Sequence, residues 1–493
     1  MKLSWHNYRY YPYERQLALR EAQSLMGVAP LETAEGVELV GNFDRQAADR
    51  LVYFSQIHDR RVTRDTVQAR LEKAVSAGRK RQATRYSAHG LHEYKGKFNP
   101  QVAKAILNIF GIRRGDHILD PFCGSGTTLV EAVQLGAEAS GFDINPLAVF
   151  VANAKIASLS APADELSELL NGLVSRWKRV KQWPSLKEQS PTIDYLKKWF
   201  DSDVLSIIET IRADILEHCG GHAGIFLTVA SDMLRDYSWQ DPNDLRIRRR
   251  SDPIPDTPFW QVMATKAEEF ILKLASAQHI LGTELPTGRA IELDVGAAGN
   301  APATRLFDAA ITSPPYAMAL PYVDTQRLSL VWLRFVSPDA LLPLEAALIG
   351  SRETRGSQKR DWLARLDQNS AQLPKAQLEY CRKLAASLSA TDGFRRKAVP
   401  TLLYRYFAMM RGSFEAVATR LAPGAPYALI VGHNHTILGG TRFDIDTPKH
   451  LAELAASVGW TVEELVPLQT YQRYGYHQSN AVHAETLILL RKP

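Results

Sequence analysis

The chain changes its hydrophobic pattern near residue 117. Before that point apolar residues recur three and four positions apart, as in YERQLALREAQSLMG and FDRQAADRLVYFSQI, which predicts helices in the first 87 residues. From His117 short apolar runs alternate with helical stretches, in the order HILDPF, GTTLVEAVQLG and EASGFDI. This β-α-β order predicts a parallel, doubly wound sheet with a ligand at the carboxyl ends of its strands.

The alternation stops twice and then resumes. Amphipathic helical stretches such as ELSELLNGLVSRWKRV precede the strand patterns AIELDV and FDAAIT, and a basic helical stretch precedes APYALIVG and AETLILL. We therefore predict an α/β domain with a doubly wound, mostly parallel sheet, a helical N-terminal extension and two helical insertions. The extension covers 1–87, the core segments 88–161, 286–336 and 401–493, and the insertions 162–285 and 337–400.

Composition excludes several classes of protein. The 493 residues are 45% hydrophobic, and no apolar run is as long as a membrane-spanning helix. Residues 1–16 mix charged and aromatic side chains, so we expect neither a secretory signal nor a membrane anchor, and a cytoplasmic protein. The three cysteines lack CxxC spacing, and His433 and His435 have no third ligand at a diagnostic spacing. We therefore predict no disulfide framework and no metal site.

The formal net charge of +6 is unevenly distributed. Residues 59–85 contain nine basic and three acidic side chains, and residues 352–397 contain eleven basic and five acidic ones. A third basic cluster, Arg246 to Arg250, holds four arginines, so the rest of the chain is acidic overall. Clustered Lys and Arg favour a polyanion through counterion release, although each cluster also fits a solvated helix face.

The stretch Asp120-Pro-Phe-Cys-Gly-Ser-Gly-Thr-Thr follows a predicted strand and opens a predicted helix. Its glycines let the backbone approach a ligand closely, and the N–H groups at the helix start suit a carboxylate or a phosphate. Asp143 ends the next strand, where a carboxylate can accept hydrogen bonds from the ribose hydroxyls of a nucleoside. The negative charge of Asp120 disfavours a pyrophosphate and suits an ammonium group, and no Gly-Lys-Ser/Thr follows to form a P-loop.

The stretches DPFCGSGTT and GFDINPLAV resemble the cofactor motif of the S-adenosylmethionine-dependent methyltransferases, in particular the DNA amino-methyltransferases. The resemblance implies a Rossmann-like methyltransferase fold with S-adenosylmethionine as cofactor. It places Asp120 at the methionine end, Asp143 on the ribose and Asp294 on the adenine, although Asp294 also fits a turn at a strand end. The segment HEYKGKFNPQ is similar to the part of the family that closes over the cofactor, and also fits a capped helix start. The cofactor residues that the resemblance implies are Phe98, Asp120, Pro121, Phe122, Gly124, Gly126, Thr127, Asp143, Asn145 and Asp294.

A second motif, Ser313-Pro314-Pro315-Tyr316, follows the predicted strand FDAAIT. An exocyclic amine is a poor nucleophile because its lone pair is delocalised into the base, so catalysis needs acceptors that hold its N–H groups. Ser313 Oγ and the Pro314 carbonyl are such acceptors, the prolines make the carbonyl direction rigid, and Tyr316 can stack on a flipped base. We therefore assign catalysis to these four residues.

The resemblance also bears on the substrate. Ser at the first position of the second motif is similar to the N4-cytosine-specific members, whereas N6-adenine members usually carry Asp or Asn. The resemblance thus implies transfer to the N4 amine of cytosine in a specific DNA sequence, with N6 of adenine as the alternative. A guanine-amine RNA methyltransferase and a nucleic-acid-binding subunit with an inert core are further alternatives. C5-cytosine methylation is disfavoured because none of the three cysteines follows a proline.

The extension and both insertions lie outside the resemblance. We expect the elements that recognise the target sequence to lie there, with DNA as the partner. The resemblance also implies a restriction or defence nuclease as a partner. Which insertion contacts DNA stays open. The candidate DNA-contacting residues are Arg246, Arg248, Arg249, Arg250, Arg352, Arg355, Lys359 and Arg360.

Overall fold

The N-terminal part of the chain is a small antiparallel sheet with two helices. The computed structural model describes residues 1–73, 82–94, 96–186, 188–244, 247–298, 305–318, 322–353, 356–469 and 484–493. The first elements are β1 (Lys2–Trp5), α1 (Pro12–Met26), β2 (Leu31–Glu32), β3 (Gly36–Glu38), β4 (Phe54–Asp59), β5 (Val62–Asp65) and α2 (Val67–Lys73). The sheet has the order β2-β3-β1-β4-β5. The predicted helix YERQLALREAQSLM is confirmed as α1, but the prediction of a purely helical extension is wrong.

Strand β4 shows the physical reason for this error. Phe54 and Ile57 are buried and lie three positions apart, which is a helical spacing. In the sheet Phe54 pairs with Trp5 and Ile57 with Leu3, and the register shifts between these two pairs. In a regular strand, buried side chains recur every two residues. The bulge inserts one extra residue, so the buried side chains of β4 are three residues apart, as they would be in a helix.

The rest of the chain is built around a seven-stranded sheet of described residues. The predicted strands of the core are confirmed as β6 to β10 and β14, whereas β13 and the hairpin of β11 and β12 were not predicted. As far as the last helix of the first insertion, the elements are α3 (Pro100–Ile109), β6 (His117–Asp120), α4 (Thr127–Gln134), β7 (Glu138–Asp143), α5 (Pro146–Ser160), α6 (Ala163–Trp177), α7 (Pro191–Leu196), α8 (Ser202–His218), α9 (Ala223–Met233) and α10 (Phe259–Leu281). The later elements are β8 (Gly288–Glu292), α11 (Val295–Ala298), β9 (Ala309–Thr312), α12 (Tyr322–Trp332), α13 (Leu341–Ala347), α14 (Gly356–Gln368), α15 (Lys375–Ala386), α16 (Phe394–Ala418), β10 (Pro426–Gly432), β11 (Asn434–Leu438), β12 (Thr441–Ile445), α17 (Thr447–Ser457), β13 (Thr461–Gln469) and β14 (Ala484–Arg491).

The sheet has the order β13-β14-β10-β9-β6-β7-β8. Strands β8, β7, β6, β9 and β10 pair in parallel, and β14 is antiparallel to both of its neighbours. From β6 the chain proceeds outward through β7 and β8, then crosses back to β9 and continues to β10. The sheet is therefore a doubly wound, Rossmann-like one, and its topological switch point lies between the carboxyl ends of β6 and β9.

The extension and the first insertion share their cores with the central domain. Side chains of α1 and β4 belong to the same buried cluster as side chains of β6 and α4. A second cluster joins the helices of the first insertion to α5 and α12. Helix α16 continues across residue 400, where we predicted the second insertion to end, so a helix and not a linker lies at that boundary.

Among the described residues, no single helix is long and apolar enough to cross a membrane, and α5 and α6 pass that test only as a pair bent by 116°.

Candidate active site

A cleft opens where β6, β7 and β9 end. This edge is the one at which doubly wound sheets bind ligands. Eight predicted residues line it, namely Phe98, Phe122, Gly124, Thr127, Asp143, Asn145, Ser313 and Pro315. The tertiary structure thus brings the two sequence motifs, almost 200 residues apart, to one cavity. The other described lining residues are Tyr94, Gly96, Lys97, Cys123, Ser125 and Leu348.

The glycine turn between β6 and α4 forms one wall of the cleft. Gly124 and Gly126 have φ angles of +48° and +79°, which only glycine adopts without strain. A Cβ atom on Gly126 would also lie 2.9 Å from Cβ of Ala152 on α5. Helix α4 begins at Thr127, which lines the cleft, so the unpaired N–H groups of its first turn lie at this wall.

Asp143 ends β7 and lines the same cleft. Its Oδ1 accepts the backbone N–H of Asn145 at 2.8 Å, and its Oδ2 accepts that of Gly124 at 3.0 Å. Burial raises the pKa of Asp143 to about 6, although the two N–H donors lower it. Each carboxylate oxygen keeps a further lone pair, so Asp143 can accept hydrogen bonds from a ligand in the cleft.

Asp120 ends β6 but does not line the cleft, because it is only 1% exposed. Its Oδ1 accepts the hydroxyl of Thr312 at 2.6 Å, a bond that joins the ends of β6 and β9. Its Oδ2 is buried and has no hydrogen-bond partner among the described residues. Burial raises the pKa of Asp120 to about 6, although the Thr312 hydroxyl lowers it. A buried acceptor without a donor marks a place for a polar group of a ligand.

Ser313 lies directly after β9, on the side of the cleft facing the glycine turn. Its Oγ donates to the carbonyl of Ile430 on β10 at 3.1 Å. A hydroxyl has one proton and two lone pairs, so the bond to Ile430 uses the proton and leaves the oxygen as an acceptor. The structure therefore gives Ser313 the hydrogen-bonding character that an N–H donor in the cleft requires.

Two side chains hold the backbone of the loop that follows the second motif. Asn434 on β11 donates through Nδ2 to the Ala317 carbonyl at 2.5 Å. Arg352 donates through Nε and Nη2 to the Met318 carbonyl at 2.8 and 2.6 Å. Met318 has a φ of +56°, an uncommon conformation for a residue with a side chain. Ala317 and Met318, which follow the second motif, are thus held by β11 and by the start of the second insertion.

Tyr316 does not line the cleft, but other residues contact both its hydroxyl group and its backbone carbonyl. Its Oη donates to Oε1 of Glu485 at 2.8 Å. At its backbone end, a Cβ atom on Gly350 would lie 2.4 Å from the Tyr316 carbonyl oxygen, and Gly350 has a φ of +77°. The close approach at Gly350 is therefore possible only for glycine.

Asp294 and Asn145 follow neighbouring strands, β8 and β7, by two residues each. Asp294 is exposed and accepts the N–H of Gly296 at 2.9 Å, which is the turn that we considered as its alternative role. Asn145 caps α5 and donates through Nδ2 to Oε1 of Gln326 on α12 at 2.6 Å. Of the predicted site residues, Asp120, Pro121, Gly126, Asp294, Pro314 and Tyr316 lie outside the lining of the cleft.

Two buried lysines next to the cleft were not predicted as site residues. Lys97 lines the cleft and donates to the Thr84 carbonyl at 3.2 Å, and burial lowers its pKa to about 8. Lys155 on α5 is fully buried and donates to Ser125 Oγ of the glycine turn at 3.1 Å, and burial lowers its pKa strongly. A lysine within the apolar helix PLAVFVANAKIASLS is the signal that could have identified Lys155.

The part of the chain that contains the glycine turn matches a known family. The model of the RMKL-like methyltransferase domain family matches residues 90–178. This range contains the cleft residues from Tyr94 to Asn145 and ends well before Ser313.

The curated relatives include type II methyltransferases and a tRNA methyltransferase. M.BsoBI, a type II methyltransferase from Geobacillus stearothermophilus, is 27% identical over 273 residues, which are 50% of this chain and 53% of the relative. M.MjaII, a type II methyltransferase from Methanocaldococcus jannaschii, is 37% identical over 116 residues, 23% of this chain and 22% of the relative. A tRNA (guanine(10)-N2)-dimethyltransferase from Methanothermobacter thermautotrophicus is 44% identical over 52 residues, 10% of this chain and 16% of the relative. The chain thus spans about half of M.BsoBI and about a fifth of M.MjaII.

The predicted DNA-contacting arginines are used in two different ways. Arg249 and Arg250 donate to the backbone carbonyls of Lys198 and Asp236, at 2.8 and 2.6 Å, and Arg352 holds the loop after β9. The Arg248 side chain is 72% exposed, and Arg360 is also exposed. Among the candidates, Arg246, Arg355 and the Lys359 side chain lie outside the described residues. All of the described candidates except Arg250 are exposed residues, and Arg248 also lies 4.0 Å from Asp244 Oδ2.

In the described part of the chain, no three His, Cys, Asp or Glu side chains lie close enough together to hold a metal ion. His433 instead contacts Thr486 Oγ1 at 3.2 Å and Asp446 Oδ1 at 3.4 Å.

Proposed function

We propose that this protein is a DNA methyltransferase that transfers the methyl group of S-adenosylmethionine to the N4 amine of cytosine. The observation that carries the proposal is the single cleft lined both by Asp143 with the glycine turn and by Ser313 with Pro315. A nucleoside-binding wall and Ser313 Oγ, an acceptor for an N–H group, thus share the same cleft. The match to a methyltransferase domain family and the similarity to two type II methyltransferases support this proposal.

The residues of the cleft fit S-adenosylmethionine. Asp143 keeps lone pairs for the ribose hydroxyls, and the positive φ angles of Gly124 and Gly126 keep side chains out of the approach to the backbone. The unpaired Oδ2 of Asp120 and the apolar face of Phe98 suit the methionine end. When bound, the cofactor supplies a sulfonium methyl group as the electrophile. The residues of this chain therefore have to bind and orient the amine that receives it.

Ser313 and Pro314 perform that orientation in our proposal. Ser313 Oγ, whose proton is donated to Ile430, accepts one N–H of the exocyclic amine, and the Pro314 carbonyl accepts the other. Holding both N–H groups turns the nitrogen lone pair out of the plane of the base ring and toward the methyl group. The base reaches the cleft by flipping out of its duplex.

The choice of base within the proposal rests on Ser313. The resemblance of Ser-Pro-Pro-Tyr to the N4-cytosine motif favours cytosine, and N6 of adenine is the alternative. The tRNA relative favours a second candidate function, methylation of a guanine amine in RNA, since it matches this chain at 44% identity over 52 residues. A restriction or defence nuclease as a partner follows from the resemblance alone.

The decisive experiment identifies the methylated nucleoside. The protein is incubated with isotope-labelled S-adenosylmethionine and either unmethylated DNA or RNA, and the digested nucleosides are identified by mass. We expect labelled N4-methylcytosine from DNA. N6-methyladenine would overturn the base assignment, and label only in RNA would overturn the DNA assignment. The Ser313→Ala variant serves as the control for contaminating methyltransferases, because its signal should fall by about a hundredfold or more.

A further inference from the structure

A carboxylate far from both motifs contacts the ring of the second motif. Glu485 lies 169 residues after Tyr316 and accepts its hydroxyl proton through Oε1 at 2.8 Å. No sequence motif identifies Glu485, because it lies at the start of an ordinary apolar strand, AETLILLR.

The antiparallel direction of β14 explains how Glu485 reaches the site. Strands β6, β7, β9 and β10 bring their last residues to the functional edge, whereas β14 runs the other way and brings its first residues there. Glu485 pairs with Gly432, the last residue of β10, and β10 also carries Ile430, the acceptor for Ser313. The central sheet thus holds Ser313 and Tyr316 from two adjacent strands.

Glu485 differs from the other groups that hold this loop. Asn434 and Arg352 hold backbone carbonyls, and Gly350 contacts a backbone carbonyl. The Glu485 contact acts instead on the Tyr316 ring, at the atom farthest from the backbone. A hydrogen bond at that position restrains rotation of the ring, and a charged acceptor makes it stronger than a neutral one.

We propose that Glu485 is a positioning residue that holds the Tyr316 ring in the orientation in which it stacks on the flipped base. This inference rests on the proposed function, because a stacking ring has a role only if a base enters the site. Glu485 itself does not touch the base or exchange a proton with it. The proton stays on the Tyr316 hydroxyl, and the carboxylate acts through that hydroxyl alone.

The test compares four variants with the unaltered full-length protein. Glu485→Ala and Tyr316→Phe each remove one partner of the bond, and each should lower kcat/KM for the nucleic acid about tenfold to a hundredfold, as expected for a hydrogen bond to a charged group. Glu485→Gln keeps an acceptor and should recover activity to within about threefold of the unaltered protein. The double variant Glu485→Ala/Tyr316→Phe should have a kcat/KM no lower than that of the less active single variant, because both changes remove the same hydrogen bond.

Three further measurements distinguish positioning from a merely structural role. Affinity for S-adenosylmethionine should stay unchanged in Glu485→Ala, because the bond does not contact the cofactor wall. The free energy of unfolding should fall by no more than one hydrogen bond to a charged group contributes, so the variant should stay folded in the assay. The control Glu463→Ala removes a carboxylate that pairs with Arg491, about 17 Å along β13 from the position opposite Glu485, and should leave kcat/KM unchanged. Equal activity of Glu485→Ala and the unaltered protein would overturn the inference, as would additive losses in the double variant.

The outcome also separates this inference from the proposed function. If the unaltered protein methylates RNA and not DNA, the DNA assignment fails, and the same variants are compared on that RNA. If it methylates DNA and Glu485→Ala is unimpaired, only the role of Glu485 fails. If it methylates no nucleic acid, both fail.

Discussion

The hydrogen-bonding capacity of the candidate site depends on the acceptors that hold its two hydroxyl protons. The Ser313 proton is donated to Ile430, and the Tyr316 proton is donated to Glu485. Both hydroxyls of the second motif are therefore oriented by acceptors of the central sheet before any substrate arrives. This preorganisation matters because reorienting dipoles during the reaction would add to the barrier.

The first prediction at this scale concerns the Ser313 hydroxyl. Ser313→Ala removes an acceptor for the amine, so turnover should fall by about a hundredfold or more, with cofactor affinity nearly unchanged. Single-turnover methylation and calorimetric titration with S-adenosylmethionine measure the two quantities. Ser457→Ala is the matched control, since Ser457 Oγ also donates to a backbone carbonyl, that of Leu454, but lies on α17. Full activity of Ser313→Ala would refute the assigned role.

A second prediction follows from the two buried carboxyls. The pKa values of Asp143 and Asp120 are both raised to about 6 by burial, so both become protonated as the pH falls through 6. Protonation removes negative charge and acceptor capacity, so affinity for the positively charged cofactor should be high at pH 8 and decline below pH 6.

The measurement is the cofactor dissociation constant from pH 5 to 8. Asp143→Asn should weaken binding about tenfold to a hundredfold at pH 8 and make the decline shallower, because only Asp120 still titrates. An equally steep decline in this variant would show that Asp143 is not one of the groups responsible.

At the scale of elements, the decisive feature is the loop after β9. Residues from β10, β11, β14 and the second insertion all hold it, although these elements are far apart in the chain. The second insertion therefore supports the loop of the second motif through Gly350 and Arg352.

The prediction at this scale compares two glycines of similar conformation. Gly350 has a φ of +77° and no room for a Cβ atom beside the Tyr316 carbonyl, whereas Gly424 has a φ of +72° and no neighbour within 4 Å. Gly424→Ala should lower the free energy of unfolding by about 1 kcal/mol through backbone strain alone. Gly350→Ala should lower the free energy of unfolding by more than this. It should also reduce turnover, because the new Cβ atom displaces the loop that carries Tyr316. Denaturant unfolding and methylation assays measure both, and equal effects of the two changes would contradict the close contact.

At the scale of the whole molecule, the extension and insertions are parts of one folded body. Helix α1 donates from Arg20 to both carboxylate oxygens of Glu464 on β13, at 2.7 and 2.6 Å. Glu21 of the same helix is fully buried, and its pKa is raised by burial to about 7. The first insertion shares a buried cluster with α5 and α12, the helices that carry Asn145 and Gln326.

The prediction at this scale concerns nucleic-acid affinity. Arg248→Gln and Arg360→Gln each remove an exposed cation, one from each insertion. A variant that loses a phosphate contact should bind DNA more weakly and reduce the slope of log affinity against log salt by about 0.9. Arg20→Gln is the control, since Arg20 donates two hydrogen bonds to Glu464 at 2.7 and 2.6 Å, whereas Arg248 lies 4.0 Å from Asp244. Binding titrations over a salt series identify the insertion that contacts DNA, and no change in either variant would refute both candidates.

Sequence patterns predicted the central sheet well because its parallel strands are apolar runs between helices. The positions of Gly124, Asp143 and Ser313 followed from local signals, since each ends or follows a strand. The N-terminal sheet was missed because the bulge in β4 spaces Phe54 and Ile57 like a helix. Glu485 and Gln326 were missed because a side chain in a regular element carries no local signal of its partner.

By itself, the sequence determined the alternation of strands and helices, the glycine turn, and the motif of Ser313. These properties depend on residues that are near one another in the chain, because local backbone preferences determine strands, helices and turns. Only the tertiary structure decided that both motifs face one cleft, that Ile430 and Glu485 hold the two hydroxyls, and that Arg352 supports the loop. Those relations depend on strand order and on the reversed direction of β14, which long-range pairing sets.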